Sequence, residues 1–158
     1  MSPRERLVGE IVPVTAEHSG TYEDDETSYG AANAIDLDFG TRSRSDTTLG
    51  SDIASWLKVT LDQVYCLKQV VWLHMDNAPV LTWTCSATDC TSCEGGQWWC
   101  DSYTLTVYTE GDSSGNLPSM SDCKYGDRVK LQRKDTGYFG VWEIAIIGTL
   151  EGKQSCSI

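Results

Sequence analysis

Apolar and polar positions alternate with period two along several stretches of this chain. Leu57, Val59 and Leu61 interleave with Trp56, Lys58 and Thr60; Tyr103, Leu105 and Val107 interleave with Thr104, Thr106 and Tyr108. Alternation of this kind in β-branched and aromatic residues predicts half-buried strands, one face on a core and the other in water. The segments 67–74 (LKQVVWLH) and 141–147 (VWEIAII) are apolar on both faces, the pattern of central or sandwiched strands. A glycine- and serine-rich run at 111–116 and the Gly95-Gly96 pair break the pattern and predict loops. No stretch carries a helical apolar stripe, and there is no internal repeat, linker or low-complexity tract. The expectation is one all-β domain over residues 1–158, a sandwich or barrel of short strands.

Length and charge narrow the picture. A chain of 158 residues holds one domain with a core large enough to fold alone. Its 23 acidic residues outnumber 12 basic ones, for a net charge of -11. Such a surface repels nucleic-acid phosphates and disfavours anionic lipid, and it is compatible with cation binding. No apolar run is long enough to span a membrane. The opening residues, Met1 to Leu7, carry no signal-peptide core, so a secreted chain would have lost its signal or been part of something longer.

Seven cysteines are many for a cytosolic domain of this size. Cys85, Cys90, Cys93 and Cys100 cluster and include one Cys-x-x-Cys, which resembles half a zinc site. No second pair follows, and His18 and His74 lie upstream and far apart. Disulfides among Cys66, Cys85, Cys90, Cys93, Cys100 and Cys123 are therefore expected, and with them an extracellular location. Cys156 is left over as a free or intermolecular thiol, a route to an oligomer or to a larger parent chain.

The densest chemistry lies at 29–43, YGAANAIDLDFGTRS. Calcium takes six to eight hard oxygens from carboxylates, hydroxyls and carbonyls. A tight loop presenting Asn33, Asp36, Asp38 and Thr41 supplies several, although its spacing is not that of an EF-hand. Taken alone, Asp-x-Asp is also ordinary turn chemistry.

The string Ala32-Asn33-Ala34-Ile35-Asp36-x-Asp38-x-x-Thr41, then Ser55-Trp56-Leu57-Lys58-Val59-Thr60-Leu61 and Val70-Val71-Trp72-Leu73, resembles the opening of galactose-binding-like jelly rolls. Discoidin domains, fucolectins and bacterial carbohydrate-binding modules belong to that superfamily. The closing strings, 126–131 (GDRVKL) and 140–148 (GVWEIAIIG), resemble its last strands. The resemblance covers about residues 7–149. It implies a jelly-roll β-sandwich and a structural calcium held by Asn33, Asp36, Asp38, Thr41, Trp142 and Glu143. Glu143 supports this independently, because an unpaired carboxylate on an apolar strand is costly to bury; a salt bridge is the alternative. One departure is Leu37, where the superfamily usually has glycine.

The same resemblance places a sugar site in loops that here hold Arg44, Asp46, His74 and Asp76, without the arginines of the fucose signature. What this chain adds is an insertion, 82–99, that sets Trp83, Trp98 and Trp99 among cysteines. Tryptophan faces stack on sugar rings and anchor partners; they also cover small cystine-stapled cores. The chain lacks a Gly-x-Ser-x-Gly elbow, a phosphate loop and a zinc-protease helix, and no enzyme is expected. The leading expectation is a calcium-binding, lectin-like module for glycans or glycoproteins in cell adhesion. The alternative is a protein-binding or matrix-structural domain in which calcium and disulfides only stiffen the scaffold.

Overall fold

The computed structural model describes residues 5–19, 26–38, 41, 43–45, 55–73, 80–110, 122–134, 139–141 and 143–150. Asp46, His74, Asp76, Trp142 and Cys156 lie outside the described residues. The elements in chain order are β1 (Thr15–His18), α1 (Glu26–Tyr29), a 3-10 turn (Ala31–Ala34), β2 (Ser43–Ser45), β3 (Trp56–Leu73) and β4 (Val80–Thr84). There follow β5 (Ser92–Glu94), α2 (Gln97–Ser102), β6 (Tyr103–Tyr108), β7 (Lys124–Arg133), β8 (Phe139–Val141) and β9 (Glu143–Leu150).

β3 organises the sheet. The two strands expected at 56–61 and 67–74 are one 18-residue strand. Exposed Asp62 and Gln63 interrupt the apolar alternation in its middle, where the register on β7 also shifts between Thr60 and Tyr65. Such irregularities bend a strand. Its first half pairs with β1 on one side and β7 on the other, and β7 carries β6. Its second half pairs with β9 on the β1 side and with β4 on the β7 side, and β4 carries β5. β3 thus runs through both layers of a curled antiparallel sheet, and a separate pair, β2–β8, stands beside it.

The core fills the space between the two halves. Leu57, Val59, Leu61, Val129 and Leu131 face Leu67, Val70, Trp72, Leu81 and Ile146, all buried. The halves touch directly where Trp72, from the second half of β3, meets Tyr103 of β6 edge-on at 4.7 Å. Both ends of β3 therefore lie at one end of the sandwich, because Tyr103 pairs with Arg133, whose N–H donates to the Ser55 carbonyl. The two α-helices are four and six residues long, too short to leave a periodic signature. Among the described residues no helix is long and apolar enough to cross a membrane, which says nothing of strands.

Candidate functional site

Two clusters occupy this end of the sandwich. The first is the acidic turn. Glu143, at the start of β9 opposite Leu73, is fully buried. Its Oε2 accepts the Leu37 N–H at 3.1 Å, which ties the turn to the last strand across 106 residues. Asp36 accepts the Asp38 N–H at 3.0 Å and also the Thr41 hydroxyl. Thr41 Oγ1 and N–H both approach the Asp38 carbonyl, at 3.1 and 3.3 Å. Asn33 turns its amide away and donates to the Thr27 carbonyl at 3.2 Å.

Leu37 has φ of 61°, the left-handed conformation that glycine adopts freely. Leu37 holds this conformation at a cost of about 1–2 kcal/mol of local backbone strain.

The structure thus brings the Asp36 carboxylate, the Asp38 backbone and Thr41 together in the turn, and Glu143 reaches it from β9 through Leu37. Among the described residues no three His, Cys, Asp or Glu side chains converge as a metal site. A cation here would need backbone carbonyls beside the carboxylates.

The second cluster is the insertion. Cys85 is bonded to Cys90 and Cys93 to Cys100, while Cys66 is bonded to Cys123 across β3 and the entry to β7. The four insertion cysteines thus serve as two local staples. Cys93–Cys100 joins β5 to α2. Gly95, at φ 122°, makes the turn between them, and a Cβ there would collide with the Val80 carbonyl. Within α2 the Gln97 amide donates to Asp101 Oδ1 at 2.7 Å, and the Cys100 N–H reaches the Gly96 carbonyl at 2.9 Å. The Lys134 N–H holds the Ser102 carbonyl at 3.0 Å and fixes the helix end to β7.

These staples and β6 line a half-open pocket of about 250 Å³. Trp83 and Tyr103 give it aromatic walls; Gln97, Asp101, Thr104 and Lys134 give it polar ones. Trp83 is only 2% exposed and stacks on Trp72 at 5.9 Å, so it is a wall and a core residue, not an exposed platform. The exposed tryptophan is Trp98, at 63%. It meets Trp99 edge-on at 4.7 Å, and Trp99 lies parallel to Tyr103 at 6.5 Å. The three tryptophans of the insertion are thereby linked into one aromatic row with Trp72 and Tyr103.

Arg44 sits on β2 opposite Gly140 of β8, on a different sheet from this row. Gln97, Asp101, Tyr103 and Lys134 were not legible as a site, because the β6–β7 pairing brings together residues more than 30 positions apart. The available signal was local: Gln97 and Asp101 stand four apart, flanking a Trp-Trp-Cys triplet.

No protein-family model and no curated protein matches the chain by sequence. Solved structures do match by shape. A family 32 carbohydrate-binding module from Clostridium perfringens, solved with GalNAc-β-1,3-galactose, superposes with a TM-score of 0.54 at 16% identity over 85% of this chain and 94% of its own. A fucose-binding module from Streptococcus pneumoniae gives 0.54 at 13%, over 86% and 93%. An F5/8 type C domain from Bacteroides fragilis gives 0.55 at 15%, over 90% and 98%. The chain has the galactose-binding-like β-sandwich fold of these modules, stapled by disulfides.

Proposed function

We propose that this chain is an extracellular glycan-recognition domain whose ligand sits at the end carrying the insertion, and whose Asp36–Glu143 turn holds a structural calcium ion. The observation that carries the reading is the cavity beside α2. At about 250 Å³ it falls just below the ~300–1,000 Å³ usual for small-molecule sites and suits one sugar ring. Its amide, carboxylate, hydroxyl and ammonium groups match ring hydroxyls, and exposed Trp98 on the adjoining helix offers an aromatic face. Similarity to modules solved with sugars supports the substrate class, and three disulfides suit an oxidising compartment. The loops that hold Asp46, His74 and Asp76 are proposed to extend the site along the glycan, and cell adhesion is its proposed setting.

Calcium has a separate task in this reading. Asp36, Asp38, Thr41 and Glu143, with the Asn33 and Trp142 carbonyls, would hold it, and its charge would neutralise the fully buried Glu143 carboxylate. The ion is thereby a fastener between the turn and the last strand and takes no part in sugar contact.

A glycan array, run with and without chelator, tests the proposal. The expected result is selective binding that falls about fivefold or more in His74→Ala and in Trp98→Ala, with melting temperatures nearly unchanged. If the array stays blank, or if both variants lose stability and keep affinity, the recognition reading fails.

A further inference from the structure

Charge is segregated along this chain. Between Lys68 and Lys124 there is no lysine or arginine, while seven acidic residues fall in the same stretch. That stretch contains β4, β5, α2 and β6, which build the aromatic row and most of the cavity. Glu110 and Asp122, near its end, are taken up by Arg128 at 3.5 Å and Lys68 at 3.8 Å. Asp89 and Glu94, in the insertion, and Asp101, just beyond it, make no ion pair among the described residues. Asp101 lines the cavity, and the Gln97 amide holds its Oδ1 in place. Its Oδ2 has no partner among the described residues.

A carboxylate held on a pocket wall, in a region without positive charge of its own, has a definite chemical preference. It attracts a cation. A charged hydrogen bond to a carboxylate is roughly twice as strong as a neutral one. Lys134 is the one cationic side chain on the cavity wall; it arrives from β7, makes no ion pair among the described residues and opposes a second ammonium nearby.

We infer that the glycan this site takes is amine-bearing: a sugar with a free amino group, its ammonium on Asp101 Oδ2. The inference rests on the glycan-recognition reading above and adds the charge of the sugar to it. Two opposite consequences follow for single variants. Asp101→Asn keeps an acceptor for Gln97 and removes the negative charge. Lys134→Ala removes the opposing charge and leaves its backbone bond to Ser102 intact.

The test is titration calorimetry with a glucosamine trimer and an N-acetylglucosamine trimer, at about pH 5.5, where a free amine is protonated. The expected result is about tenfold tighter binding of the amine form, weakening with salt as ion pairing does. That preference should vanish in Asp101→Asn and grow about threefold in Lys134→Ala. Equal affinity for the two trimers, or an amine preference unchanged in Asp101→Asn, overturns the inference and leaves the glycan reading standing. If neither trimer binds while neutral or acidic sugars do on an array, the inference is likewise overturned. Binding of no glycan of any charge overturns both.

Discussion

Removal of the Cys66–Cys123 bridge should be the most damaging change to stability in this chain and should leave ligand binding untouched. The bridge spans 57 residues of sequence and includes the whole insertion, β4, β5 and β6. If a disulfide acts by restricting the unfolded chain, a loop of that length contributes about 4 kcal/mol at 25 °C. The local bridges span five and seven residues and contribute about 2 and 2.5 kcal/mol in the same treatment. Both cysteines of the long bridge are 1% exposed, so replacement by alanine also loses a little packing. Against a typical domain stability of about 5–15 kcal/mol, the loss leaves a marginal protein. Double alanine variants of each pair, unfolded in urea with slopes checked for equality, give the comparison directly. The expected order is Cys66/Cys123 well ahead of the other two. The Cys93/Cys100 variant should retain most stability yet lose ligand affinity, because its bridge forms the cavity wall. If the long bridge costs no more than the short ones, its stabilisation does not come from loop closure.

Further outcomes follow from the acidic turn and from two raised pKa values. Calcium at a hundredfold over its dissociation constant should add about 2.7 kcal/mol, hence roughly 5–10 °C in melting temperature, and Glu143→Gln should abolish the gain; metal-stripped protein melting identically with and without calcium would refute the site. At Leu37 the usual order of helix and strand positions should reverse, Leu37→Gly being more stable than Leu37→Ala by about 0.5–1 kcal/mol, since only the Cβ at positive φ separates them. Alanine proving equal or better would show the turn relaxing out of that conformation. Tyr65 is raised above 10.0, first by its hydrogen bond to Asp62 and then by burial, and Lys58 is raised above 10.5, chiefly by its hydrogen bond to Glu17. Both folded forms hold their protons longer than the unfolded chain, so this stability is complete below about pH 10 and is lost as pH climbs through the raised values. Urea midpoints from about pH 9 to 11 should fall, and fall less in Tyr65→Phe; parallel curves would refute the assignment.

How much was legible beforehand differed by element. Period-two alternation located the strands, since half-buried faces leave that mark whatever their partners. It did not reveal that 56–73 is one strand, because the exposed Asp62 and Gln63 at the bend imitate a loop in sequence. The turn motif marked Leu37 as a departure from the glycine of the resembling superfamily, but only the backbone shows that Leu37 is left-handed. Cysteine density pointed to disulfides without giving their pairing, which depends on how β3 and β7 lie side by side. Tryptophan content suggested a platform and could not divide its members. Trp83 is buried because its strand position faces the core, and Trp98 is exposed because α2 turns it outward. Trp83 and the insertion cysteines were singled out, but the pocket's polar wall was not: Asp101 and Lys134 come to one pocket through the β6–β7 pairing next to them, which no local pattern announces.

The central claim is that recognition occurs at the cavity formed by α2, β5 and β6. The most direct measurement is an NMR chemical-shift map of the labelled protein titrated with the best-binding glycan from the array. The account predicts that shifts concentrate at Gln97, Asp101, Tyr103, Thr104 and Lys134, with Trp98 close behind. It is contradicted if these amides stay silent while the perturbed residues map to the outer sheet face, where Lys130 stands 5.1 Å over the Trp56 ring.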